Sequence, residues 1–487
     1  MSVEKRVTIL THDDLTIPDR RITQQARVWL DHGWPVVLIG MSEAKKVKTF
    51  AHADGWRQVE IPFRSLNVRD DPDYLQWVEG GPRPEQRLSG GARVRTLNLL
   101  IALRQRMPAA LVPRSLSRAL GSRLYRWAFR SAMQRGEVAQ IEWYPLPFTG
   151  ALRSHGSLYP SAVVVANDIP TLPAAMTIAE QSGALLLYDA HEIYAEQVTL
   201  TDRMKRLLRH WEERGMRRAW CSYTNSHNNA AFLQQAYDLP DPPAVLTNAG
   251  DFGPVPPRPA APGPLRKRLG IGTDQTLLLY HGGLISNRNI ETLIHGFHHA
   301  ALPATQLALM GFGESKLFAD LIARTGNPAI RLLPAVPPAA LADWVIDADY
   351  VVIPYPPVDA NTRYCSPNKL FDAIGLGVPV LANEGLITVH EFITRYGIGH
   401  TMPMDSVDRL SAGLQDLTSL EQPPRAAFEQ ALAEFGWEAN RRLLSQWIEQ
   451  IETELKLRDA GEARLGAGQP SRQAHRGALG TPDRNAL

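Results

Sequence analysis

The chain has 487 residues, 44% of them hydrophobic and 21% charged, with a formal net charge of +2. That length allows two or three domains, and so small a net charge excludes a global attraction to nucleic acid. Two cysteines, Cys221 and Cys365, offer neither metal-ligand spacing nor a disulfide framework, so a reducing compartment is expected.

In chain order, RVTIL (Arg6 to Leu10) reads as a buried strand, RITQQARVWLDHGW (Arg21 to Trp34) has helical spacing, and PVVLIG (Pro35 to Gly40) is the next strand. Strand, helix, strand with short links implies a parallel sheet and an α/β fold. The opening MSVEKRVTIL lacks a signal-peptide core, and no run of about 18 apolar residues occurs. A cytoplasmic protein is therefore expected, free or resting on the inner face of a membrane. A long irregular stretch follows. Within it, residues 86–136 hold eleven Arg and no Lys, Asp or Glu. The part from Ser115 to Gly136 spaces Leu116, Leu120, Leu124 and Trp127 three or four apart. It fits either a solvated helix packed on the domain or an interfacial helix on anionic lipid.

Strands resume at AVVVAN (Ala162 to Asn167), ALLLYDA (Ala184 to Ala190) and CSYTNS (Cys221 to Ser226). Residues 250–270 are dense in Pro and Gly and read as a linker. The α/β rhythm then restarts with TLLLYHGG, QLALMGFGE, AIRLLPAV, DYVVIPY and VPVLAN. The expected layout is a Rossmann-like domain over 1–255, a second over 256–457 with a terminal helix, and a disordered tail over 458–487.

Two such sheets place a crevice at the carboxyl ends of their strands. Gly282 and Gly283 follow a strand and admit a ligand close to the backbone. Arg288, ahead of a helix, can grip a phosphate. Gly313 and Glu314 follow the next strand. A tight turn explains the glycines equally well. Ser366 suits a helix N-cap and Pro367 the first helical position, so the amides of Asn368 and Lys369 would point at an anion. Asp372, one turn on, could accept hydrogen bonds from a ribose. An ordinary capped helix with surface Lys and Asp is the plain alternative. In the first half, Asn167, Asp168, Asp189, His191 and Glu192 sit at strand ends and suit hydroxyl recognition or proton handling.

Taken together, SPNKLFDAIGLGVPVLAN, LLLYHGGLISNRNIETLI, LALMGFGE, ADYVVIPY and DRRITQQARVWLDHGWPVVLIG resemble the GT-B glycosyltransferases, and within them the retaining family 4 type, over roughly residues 5–450. The resemblance implies two Rossmann-like domains facing across a central cleft, the first binding acceptor and the second a nucleotide-diphospho-sugar donor. It implies that Arg288 and Lys369 neutralise the donor pyrophosphate, that Gly282 and Gly283 let it approach, and that Asp372 holds the ribose. Ser366, Pro367 and Asn368 would line the sugar and phosphate end. Asp168 and His191 would contact the acceptor hydroxyl as the catalytic candidates. A metal is not expected. The first of the family's two spaced carboxylates is Tyr364 here, which keeps open a non-catalytic nucleotide-sugar-binding scaffold; a GT-B sugar-nucleotide epimerase is the other alternative. The Arg-rich segment suggests a lipid-linked acceptor in cell-surface polysaccharide or glycolipid assembly.

Overall fold

A computed structural model describes residues 4–62, 149–198, 200 and 202–459. The Arg-rich segment 86–136 and the tail from 460 lie outside them.

The first half contains β1 (Val7–Asp14), α1 (Arg20–Asp31), β2 (Val36–Ser42), β3 (Lys48–Ala51), β4 (Arg57–Pro62), α2 (Thr149–Gly156), β5 (Val163–Asn167), α3 (Leu172–Ser182), β6 (Leu185–Ala190), α4 (Asp202–Arg218), β7 (Cys221–Thr224), α5 (His227–Tyr237) and β8 (Ala244–Val245). Its strands form one eight-stranded sheet in the order β3-β4-β2-β1-β5-β6-β7-β8. All neighbours are parallel except β3 against β4. Helices cover both faces, so the central strands are apolar on both sides. Val163 and Val165 join one core cluster while Val164 and Ala166 join the other.

The second half contains α6 (Pro264–Leu269), β9 (Thr276–Leu284), α7 (Ile290–Ala300), β10 (Thr305–Gly313), α8 (Ser315–Thr325), β11 (Ile330–Pro334), α9 (Leu341–Val345), β12 (Tyr350–Ile353), α10 (Ala360–Arg363), α11 (Asn368–Leu376), β13 (Val380–Asn383), α12 (Ile387–Tyr396), β14 (Gly399–Met402), α13 (Val407–Gln415), α14 (Arg425–Phe435) and α15 (Trp437–Asp459). Its six-stranded sheet, β11-β10-β9-β12-β13-β14, is parallel throughout.

Three expectations need correction. The strands β3 and β4 fall where an irregular stretch was expected. Every β3 residue is exposed, and β4 carries Arg57, Gln58 and Glu60, so neither reads as an apolar run. The Pro-rich linker, read without regular structure of its own, holds α6, and there the buried Arg266 donates through Nη2 to Asp349 (2.6 Å) and through Nε to the carbonyl of Asp347 (2.9 Å). The terminal helix α15, expected with the second domain, returns to the first. There Trp447 packs on Tyr223 with ring centroids 5.1 Å apart, and the Trp34 indole donates to Glu452 (3.0 Å). One core cluster therefore runs from the first sheet through α15 into the second domain. No helix among the described residues is long and apolar enough to cross a membrane.

Candidate functional site: a two-sided cleft

Loops that follow strands of the two sheets meet each other. Arg20 Nη1 donates to Asp372 Oδ1 (2.6 Å), Asn248 Nδ2 to the Ser366 carbonyl (2.9 Å), and Asn361 Nδ2 to Glu192 Oε2 (3.1 Å). The Val198 amide donates to Asp359 Oδ2 (2.6 Å). The carboxyl ends of both sheets thus border one crevice, the place where open α/β sheets bind ligands.

On the second-domain side the start of α11 dominates. Asn368 is its first residue and Pro367, with extended backbone, is the cap position without a side-chain cap. This corrects the expected register by one. Ser366 precedes the cap, and its buried Oγ has no hydrogen-bond partner among the described residues. The helix start is therefore not closed by its own sequence, which leaves its positive end available to an anion.

Lys369 is buried rather than on the surface, at 6% exposure. Its Nζ donates to the Tyr355 hydroxyl and lies 4.7 Å and 4.8 Å from the ring centroids of Tyr280 and Tyr355. The Arg288 guanidinium sits over the same Tyr355 ring at 4.3 Å. Neither cation has a carboxylate in ion-pair range among the described residues. Two cations thus converge on one tyrosine with no carboxylate paired directly to either, only Glu192 acting on the half-buried Arg288 from further off, and for the buried Lys369 removal from water costs several kcal/mol unless a partner arrives.

The glycines divide. Gly282 has φ +110°, and a Cβ there would sit 3.4 Å from Lys369 Nζ. A Cβ on Gly283 would meet nothing within 4 Å, so space is open over that strand end. Gly313 has φ +120°, and its Cβ would fall 2.6 Å from the Leu284 carbonyl. Strand packing alone explains it. Glu314 accepts from the amide (2.6 Å) and the hydroxyl (2.7 Å) of Ser286, so its carboxylate braces the loop that carries Arg288.

Asp372 is 2% exposed. Its Oδ1 is held by Arg20, whose Nη2 also donates to the Asn248 carbonyl (2.7 Å). Its Oδ2 lies 3.9 Å from His281 Nε2. Burial pushes His281 down to about 4, outweighing the pull of Asp372, so the ring is neutral near pH 7. Tyr364, at the place of the missing carboxylate, turns toward the first domain with its ring 6.0 Å from Phe232.

On the first-domain side, Asp168 follows β5 with φ +60°, a strained value for a non-glycine residue. Its Oδ1 accepts from the His191 amide (3.1 Å), and burial raises its carboxyl well above the usual range. Asn167 donates to the Leu10 carbonyl (2.9 Å). His191 Nε2 is 3.0 Å from Asp189 Oδ2. Burial opposes charge on that ring, but the Asp189 carboxylate overrides it and holds the pKa up at about 9. Arg21 grips both oxygens of Asp189, and Gln25 adds a further donor at 2.8 Å. A ring held as an imidazolium donates hydrogen bonds and can release a proton, so both the hydroxyl recognition and the proton handling expected of His191 fit its setting.

Sequence reasoning missed Arg20, Arg21, Asn248, His281 and Tyr355. Arg20 and Arg21 open α1 behind the Asp19 cap, whose side chain accepts from the Arg21 amide (2.7 Å). Their position just after the first strand was the available signal.

No family model matches the chain. A D-inositol 3-phosphate glycosyltransferase from Thermobispora bispora is 29% identical over 223 residues, covering 40% of this chain and 48% of that protein. The chain thus matches about half the length of that curated relative. Among solved structures, sucrose-phosphate synthase from Thermosynechococcus elongatus superposes with a TM-score of 0.62 at 15% identity, over 92% of this chain and 100% of that one. HepE from Anabaena, in complex with UDP and glucose, superposes with a TM-score of 0.56 at 14% identity, again over 92% and 100%. At such identities the likeness concerns the fold, and with two mostly parallel sheets and a terminal helix that returns to the first domain the chain has the GT-B fold.

Proposed function

We propose that the protein transfers a sugar from a nucleoside-diphosphate sugar to a hydroxyl acceptor, with retention as in the family it resembles. The observation that carries this reading is the pair Lys369 and Arg288, two cations sharing Tyr355 with no carboxylate partner among the described residues, beside Gly282 and the uncapped start of α11. A diphosphate supplies the missing charge. As the glycosidic bond to the donor breaks, negative charge grows on the departing diphosphate. Fixed cations and helix amides aimed at it stabilise that transition state. In this reading these groups, rather than a metal ion, balance the leaving group. Ser366, Pro367 and Asn368 line the same end, Asp372 faces the ribose, and Asp168 with His191 holds the acceptor hydroxyl and the donor sugar. UDP is the first nucleotide to try, because HepE was solved with it.

The acceptor is proposed to be lipid-linked, in surface polysaccharide or glycolipid assembly, with the protein at the inner face of a membrane. The Arg-rich segment 86–136 is the support for this. Changing several of its Arg to Ser should weaken flotation with anionic vesicles, and unchanged partitioning would count against it.

The donor reading is tested by thermal shift with a panel of nucleoside diphosphates and their sugars, on the wild type and on Lys369→Ala with Arg288→Ala. A rise with one nucleotide that the double variant loses supports it. No rise with any nucleotide would count against it. Tyr364 in place of the family's first carboxylate favours a second reading, a protein that binds the nucleotide sugar without turning it over. Release of nucleoside diphosphate in the presence of acceptor separates the two.

A further inference from the structure

We infer that His281 is a specificity-determining residue of the donor site, forming with Asp372 a receptor for a single hydroxyl of the donor ribose. The inference rests on the nucleotide-sugar reading above. His281 ends the apolar run of β9 just before Gly282 and is 5% exposed. Its Nε2 is buried without a hydrogen-bond partner among the described residues. Buried polar atoms of this kind are rare, and each calls for a partner.

One carboxylate oxygen, Asp372 Oδ2, is 3.9 Å away. That is too far for a direct bond. It is the separation one oxygen can bridge, since two bonds of about 2.8 Å meeting near a right angle span about 4 Å. The other carboxylate oxygen is taken by Arg20, so Asp372 presents one oxygen to a ligand. Burial keeps the imidazole neutral, and the facing carboxylate favours the tautomer with its proton on Nε2. The gap is thus lined by one N–H donor and one carboxylate acceptor. A phosphate oxygen satisfies the donor and is repelled by the acceptor. An ammonium satisfies the acceptor and leaves the donor unmatched. A hydroxyl satisfies both, accepting from Nε2–H and donating to Oδ2. Because one oxygen of Asp372 is committed to Arg20, two adjacent ribose hydroxyls are not clamped alike: one is read and its neighbour is not.

The test is calorimetry with the ribonucleoside diphosphate that binds best and with its 2′-deoxy and 3′-deoxy forms, on the wild type, His281→Leu and His281→Gln. The wild type should lose about 10- to 100-fold in affinity for one deoxy form, as expected for a bond involving a charged group, and less than about 3-fold for the other. His281→Leu should bind the ribonucleotide as weakly as the wild type binds the discriminated analogue, and should no longer tell the two apart. His281→Gln, which returns an N–H donor, should recover part of the discrimination. Inorganic pyrophosphate binding, unchanged in both variants, reports that the cation pair is intact. If the wild type binds both deoxy forms as well as the ribonucleotide, the inference is overturned while the donor reading stands. Full discrimination retained in His281→Leu, or in His281→Ala should the leucine variant not fold with pyrophosphate affinity preserved, assigns the gap to water and equally overturns it. Failure of every ribonucleoside diphosphate to bind the wild type overturns the donor reading itself, and the inference with it.

Discussion

Replacing Lys369 with Met asks whether this cation is there for a ligand or for the fold. The side chain is 6% exposed and has no carboxylate partner among the described residues. Removing an ammonium from water costs several kcal/mol. Its hydrogen bond to Tyr355 offsets about 1.5–3 kcal/mol. Its contacts with the rings of Tyr280 and Tyr355, at 4.7 Å and 4.8 Å, offset about 0.5–2 kcal/mol each. These terms nearly cancel, so Lys369 contributes little net stability, and a thioether of similar length fills its space. The expected outcome is an unfolding free energy, read from urea titration, that is unchanged or raised by up to about 2 kcal/mol. Affinity for the nucleoside diphosphate should fall by about 2–3 kcal/mol, roughly 30- to 150-fold. A loss of more than about 2 kcal/mol in stability with unchanged nucleotide affinity would refute the reasoning, because Lys369 would then be a structural residue.

Arg20→Ala leaves Asp372 buried without its cation. Broken buried pairs cost about 3–5 kcal/mol; because the Arg20 side chain is 28% exposed, a loss of about 2–3 kcal/mol is expected, and adding Asp372→Asn should recover part of it in a urea double-mutant cycle. His191 has its pKa raised from 6.5 to about 9 in the folded protein. Its contribution is therefore complete below pH 6.5 and is lost as pH rises through 9, a fall on the order of 2–3 kcal/mol. Urea midpoints from pH 6.5 to 9.5 should show that fall in the wild type, and a His191→Gln variant should lack it. Glu212 behaves in the same sense at lower pH. Burial pushes it from 4.5 up to about 7, against the Tyr188 and Tyr237 hydroxyls that donate to its two oxygens at 2.6 Å each. The folded protein holds that proton more tightly, so stability declines as pH rises from 4.5 toward 7, and Glu212→Gln should flatten the decline.

The α/β architecture was legible because RVTIL, PVVLIG, AVVVAN and TLLLYHGG are strands buried on both faces, and such runs stand out from their flanks. Strand β3 was not, since Lys48–Ala51 is an exposed edge. At the site, the residue types around Lys369 and Arg288 marked a place for an anion, and the fold brings both to Tyr355. Burial was not legible: a Lys and an Asp three apart on a short helix read as surface residues, yet the crossing of Arg20 from the first domain encloses Asp372. Contacts such as Arg20 with Asp372 join residues more than three hundred apart, and nothing local in either segment encodes them. The α11 cap was misplaced by one residue because Ser and Pro are the residue types preferred at the cap and the first helical position, whereas Pro367 keeps an extended backbone and the helix begins at Asn368.

The most direct measurement is a crystal structure of the protein with the nucleoside diphosphate that gives the largest thermal shift. The two phosphates should lie between Lys369 and Arg288, against the start of α11 and over Gly282 and Gly283. Phosphates bound elsewhere, with Lys369 still enclosed by Tyr280 and Tyr355 alone, would contradict it.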